Sequence, residues 1–141
     1  MDMKASATND KLLLNRWVVI HPNLTTDPLH RQGQVGKITS TNLPGEVTVE
    51  FSDGQSGRYM RDAVLTLFPK DVIIQGLQSN PLEPDIRATL YQVVKSLGRK
   101  NEDAIKIAMT NDTTRFFCLT TCADWLDMKK VQKSNQHKPS R

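Results

Sequence analysis

Near residue 80 the spacing of apolar residues changes from two to about 3.6. That switch commits the chain to a front half built of strands and a back half built of helices. In front, Val47, Val49 and Phe51 alternate with Thr48, Glu50 and Ser52, the pattern of a strand with one buried and one wet face. Strands are expected at residues 14–21, 34–40, 47–52, 58–60 and 64–68, with a short sixth at 72–74. Leu43-Pro44-Gly45 and Asp53-Gly54 supply turns. Pro22 ends the first strand, and residues 22–32 read as a long surface loop. Behind the switch, Ile86, Leu90, Val93, Val94 and Leu97 mark one face of a helix that stops at Gly98. A second helix is expected to be N-capped by Asn101, with Glu102 and Asp103 suited to the positive end of its dipole. A third, capped by Asn111 or Asp112, runs to Lys130 with Phe116, Leu119, Ala123 and Leu126 as its stripe, widened by Phe117, Cys118, Cys122 and Trp125.

Short strands separated by turns every eight to twelve residues argue for a small closed barrel, since about 60 residues cannot build a large sandwich. The expected fold is α+β: an N-terminal five-stranded SH3-like β-barrel (residues 11–75) followed by a C-terminal three-helix segment (82–130). A disordered lead-in (1–10) and a disordered basic tail (131–141) complete the chain.

The 141 residues carry a net charge of +4. Charges balance over residues 1–75, residues 76–130 hold one excess positive charge, and the tail holds three, on Lys133, Lys138 and Arg141. A body this close to neutral lacks the concentrated basic face of a duplex-binding domain. No apolar run approaches the roughly 20 residues that span a bilayer, and the first residues lack the apolar stretch of a secretory leader. The chain therefore reads as cytoplasmic, without a membrane partner. Cys118 and Cys122 are expected to be reduced, partly buried thiols, because two cysteines without a second pair make neither a zinc site nor a disulfide framework.

Residues 17–51 resemble the KOW-type SH3-like barrels of ribosomal and transcription-elongation proteins. The likeness rests on Trp17-Val18-Val19-Ile20, Gly33-Gln34-Val35-Gly36-Lys37-Ile38 and Val47-Thr48-Val49. The two glycines suit an entry into a bent strand that needs positive φ or close backbone approach. The loop at 22–32 is longer than in that family. The resemblance implies an RNA-contacting edge at Arg31, Gln34 and Lys37, which Glu46, Glu50 and Asp53 would offset. Val47-x-Val49-x-Phe51-x-Asp53-Gly54 is more similar to Tudor-type barrels that read peptides. The block from Trp17 to Leu24 also resembles small bacterial proteins, a likeness that implies no activity.

No nucleophile motif, phosphate loop, dinucleotide-binding glycine set or supported carboxylate pair is present. The sequence is therefore read as a non-catalytic binding module, an adaptor for a protein or peptide partner, with no cofactor and no metal. The barrel would bind through the 22–32 loop and the 53–59 hairpin. Tyr59 between Arg58 and Arg61 suits a phosphate or an acidic peptide. The candidate binding residues are Arg31, Lys37, Arg58, Tyr59 and Arg61. Two alternatives stand beside this reading. One is a nucleic-acid-binding accessory protein using the barrel edge and the basic tail. The other is a small metal-dependent hydrolase around His21, Asp27 and His30.

Overall fold

The computed structural model describes residues 11–25, 27 and 29–137. Among these residues six strands form one antiparallel sheet: β1 (Trp17–Ile20), β2 (Val35–Ser40), β3 (Glu46–Phe51), β4 (Ser56–Met60), β5 (Val64–Leu67) and β6 (Leu119–Thr121). The order across it is β4-β3-β2-β1-β5-β6. Five helices among the described residues follow β5 in sequence or flank β6: α1 (Lys70–Ser79), α2 (Pro84–Ser96), α3 (Asn101–Ala108), α4 (Asp112–Cys118) and α5 (Cys122–His137). Of the expected tail, residues 131–137 continue α5 and 138–141 lie outside the described residues, as does the lead-in 1–10.

The five-stranded barrel followed by three helices is not what forms. The sheet is open, with β4 and β6 at its two edges. Strand burial explains why. β3 alternates between buried and solvated positions as a one-faced strand should, but β5 is buried at all four residues, and β1 at Val18, Val19 and Ile20. A short barrel of this kind hides its interior and leaves its outside wet, whereas continuous apolar runs mark strands covered on both faces. One face carries Val18, Ile20, Ile38, Val47, Val49 and Val64, covered by Leu13 and by Cys122, Trp125 and Leu126 of α5. The other carries Val19, Leu65 and Leu67, covered by Ile73, Leu77, Leu90, Val93, Ile105 and their neighbours on α1 to α4. The free side of β5 is taken by β6, with Leu65 opposite Thr121 and Leu67 opposite Leu119.

Two local expectations change with this topology. Val72–Ile74 lie in helix α1, because Ile73 and Leu77, four apart, both reach the core. The long third helix is interrupted by β6, so its stripe is divided. Phe117 and Cys118 join the second cluster, while Cys122, Trp125 and Leu126 join the first. The stop at Gly98 and the cap at Asn111 are present, whereas Asn101 is the first residue of α3 and its side chain accepts the Gly98 N–H at 2.8 Å instead of capping that helix. Gly98 follows α2 at φ +80°, and the Asn111 side chain accepts the Thr114 N–H at 2.8 Å.

Candidate functional site

The five residues singled out in sequence do not converge. Tyr59 is buried rather than displayed, and its hydroxyl donates to the Asp27 carboxylate, 3.2 Å from each oxygen. The same carboxylate accepts the backbone N–H groups of Leu29 (2.9 Å) and Arg31 (2.8 Å). Asp27 therefore holds the 22–32 loop onto β4. Burial first, and then the neighbouring Asp27 charge, push the Tyr59 phenol up to about 12. Arg31 closes the other side of this node. Its guanidinium donates to Gln34 at 2.8 Å, to Asp53 at 2.7 Å and to Gln55, and it lies 4.7 Å from the centre of the Phe51 ring. Its hydrogen bond holds the exposed Asp53 carboxyl below its ordinary range. Arg31 and Tyr59 thus spend their polar groups inside the protein.

The other three are dispersed. Lys37 lies across from Glu50 on the solvated face, with its ammonium 5.5 Å from the centre of the Trp17 ring. Arg58 is exposed on β4 beside Leu43 and Glu46. Arg61 sits in the short 3-10 turn before β5. The expected metal trio does not assemble either. Asp27 is engaged as described, His21 Nδ1 accepts the Asn23 N–H at 3.1 Å, and His30 takes a positive φ of 55°. Among the described residues no group of three His, Cys, Asp or Glu side chains is placed to hold a metal. Cys118 and Cys122 are free and buried on opposite faces of the sheet, and burial pushes both thiols up to about 12.

A surface that sequence reading missed lies at the β6 edge. A groove of about 420 Å³ runs between β6, α1 and α4, and Leu65, Phe68, Val72, Phe117 and Leu119 line it. Phe116 stands at its wall with 76% of its surface exposed, its ring edge-on to Phe117 at 5.7 Å between centres. Gly76 lets α1 come close, since a Cβ there would sit 3.1 Å from the Phe117 ring. Asp124, exposed on the first turn of α5, marks the polar rim and makes no ion pair among the described residues.

Two sequence signals for this edge were available. Adjacent Phe116 and Phe117 sit about 100° apart on a helix, so a narrow stripe cannot bury both. Thr121-Cys122-Ala123-Asp124 has the form of a helix start, with β-branched Thr120 before it, and the Thr121 hydroxyl does accept the Asp124 N–H at 3.1 Å.

No helix among the described residues is long and apolar enough to cross a membrane. No family model matches the chain, and neither a curated protein nor a solved structure matches it.

Proposed function

We propose that this protein is a non-catalytic binding module for a protein or peptide partner, and that its contact surface is the groove beside β6. The observation that carries the reading is Phe116, a large apolar ring left in water beside a concave apolar lining. Covering a phenylalanine is worth about 1.5–3 kcal/mol, on the order of ten- to a hundredfold in affinity. Aromatic anchors in dry pockets dominate many protein interfaces. The loop and hairpin expected to make the contact are instead tied down by Asp27 and Arg31. The test is affinity capture from a lysate with wild type, Phe116→Asp and Arg58→Asp as parallel baits. A partner retained by wild type and Arg58→Asp but lost by Phe116→Asp supports the groove. A partner list indifferent to Phe116 removes it.

A second reading, nucleic-acid binding, draws on exposed Arg99 and Lys100 beside a cleft of about 390 Å³ that reaches Trp17. Glu102 and Asp103 line the same cleft and offset the charge. Retention on RNA that falls steeply with salt and is lost in Arg99→Glu/Lys100→Glu would favour it.

A further inference from the structure

The backbone at the β6 edge says how a partner would engage the groove. We infer that the occupant is an extended segment of a partner protein, added to β6 as a seventh strand opposite Thr120, with an apolar side chain next to a Lys or Arg. This rests on the groove being the contact surface. The Phe68 N–H donates to the Cys118 carbonyl at 2.8 Å. That bond sets the phase of the antiparallel ladder between β5 and β6. Bonded pairs alternate with open ones, so Thr120 turns its backbone groups toward β5 while Leu119 and Thr121 turn theirs outward. The Leu119 N–H is already donated to the Arg115 carbonyl at the end of α4. The Thr121 carbonyl, on the residue whose hydroxyl caps α5, belongs to the first turn of that helix, so what remains on the outer side is the Leu119 carbonyl and the Thr121 N–H, one acceptor and one donor flanking Thr120. An added strand bonds across one position through such a pair.

Side chains of that strand alternate between its two faces. Those opposite Leu119 and Thr121 fall on the face lined by apolar groove residues, which selects an apolar group. The acidic rim at Asp124 selects a cation within reach of it. A second copy of this chain pairing through its own β6 would bring Leu119, Thr120 and Thr121, none of which supplies a cation to Asp124.

The test uses the full chain and a random linear nonapeptide library displayed on phage, panned on wild type, Phe116→Ser and Asp124→Lys. Wild type is expected to enrich an apolar residue adjacent to Lys or Arg, and Asp124→Lys is expected to shift the enriched charge to Asp or Glu. A synthetic copy of the enriched peptide should weaken about tenfold when one particular backbone N–H is methylated, the one that would donate to the Leu119 carbonyl. No enrichment, apolar residues spaced three and four apart as on a helix, or indifference to Asp124→Lys overturns the inference. So does a methylation scan with no sensitive position. Peptides that need Phe116 yet tolerate methylation everywhere leave the groove standing and remove the added strand. Peptides indifferent to Phe116 remove both. A wild-type dimer in sedimentation that dissociates in Phe116→Ser identifies a second copy as the occupant and also overturns it.

Discussion

Gly33 and Gly36 lie three residues apart at the entry to β2, and the structure gives them different reasons to be glycine. Gly33 has φ +79° with nothing within 4 Å of an added Cβ. Alanine there meets only backbone strain, about 1–2 kcal/mol for an L-residue in the left-handed region. Gly36 is paired with Val18 on one side and Phe51 on the other. An added Cβ would stand 2.5 Å from the Val49 Cγ1 methyl and 2.8 Å from the Glu50 carbonyl oxygen. A methyl can rotate away, but a carbonyl held in the ladder cannot, so β2 and β3 must separate by several tenths of an ångström. Overpacking of this kind costs about 2–3 kcal/mol. Urea titration of wild type, Gly33→Ala, Gly33→Asn and Gly36→Ala checks the ranking. With a slope of about 2 kcal/mol per molar, Gly36→Ala should lower the midpoint by about 1–1.5 M and Gly33→Ala by about half that. Gly33→Asn should fall closer to wild type, because asparagine tolerates positive φ. If Gly36→Ala is as mild as Gly33→Ala, the close approach of β2 to β3 is not the constraint, and the reasoning fails.

Three further outcomes are expected. Tyr59→Phe removes one of the donors to the buried Asp27 carboxylate and should cost about 1–2 kcal/mol in denaturant titration; an unchanged midpoint would show that the Asp27 node does not anchor the loop. Tyr59, Cys118 and Cys122 all hold their protons more tightly when folded, at about 12 against ordinary values of 10.0 for the phenol and 9.0 for the thiols. The unfolded chain releases those protons first, so their stabilising contribution is complete below pH 9 and is lost between about pH 9 and 12. Melting temperatures recorded from pH 7 to 11 should therefore fall above pH 9, and a flat profile would contradict the burial of these groups. Neither cysteine should react with a thiol-specific disulfide reagent until denaturant is added; rapid labelling of the native protein would place a thiol at the surface.

The strands of the front half were legible because their residues carry the period directly, as in Val47-Val49-Phe51, and because turn chemistry punctuates them. The conformational reason for the two glycines was legible too. Closure was not. Trp17-Val18-Val19-Ile20 and Val64-Leu65-Thr66-Leu67 are continuous apolar runs, and local pattern alone cannot say whether the second face is hidden inside a barrel or under helices. Val72-Ile73-Ile74 misled for a related reason. Three β-branched residues favour a strand, yet Ile73 and Leu77 gain more by packing as a helical pair against α2 and α4. Arg31, Tyr59 and Asp27 were visible as polar residues near a loop, but their engagement with one another depends on the loop folding back over β4, which spacing does not encode. Phe116 reads as core in the sequence because its neighbours belong there.

The exposed edge follows from the way the chain completes its sheet. β5 is buried on both faces and its outer side needs hydrogen-bond partners. The chain supplies them late, by breaking a helical stretch for the three residues Leu119–Thr121. A strand with a helix fused at each end cannot be lengthened, nor can it be followed directly by a hairpin partner, because α4 ends at Cys118 and α5 begins at Cys122. α5 then packs back over the face holding Trp125 and Leu126 instead of continuing outward past β6. At the opposite edge the 22–32 loop folds against β4, where Leu29 meets Gly57 and Asp27 meets Tyr59. Short length ordinarily protects an edge strand from unwanted pairing. Here the same brevity leaves a single donor and acceptor beside an uncovered phenylalanine, an edge limited to one short, side-chain-selective contact.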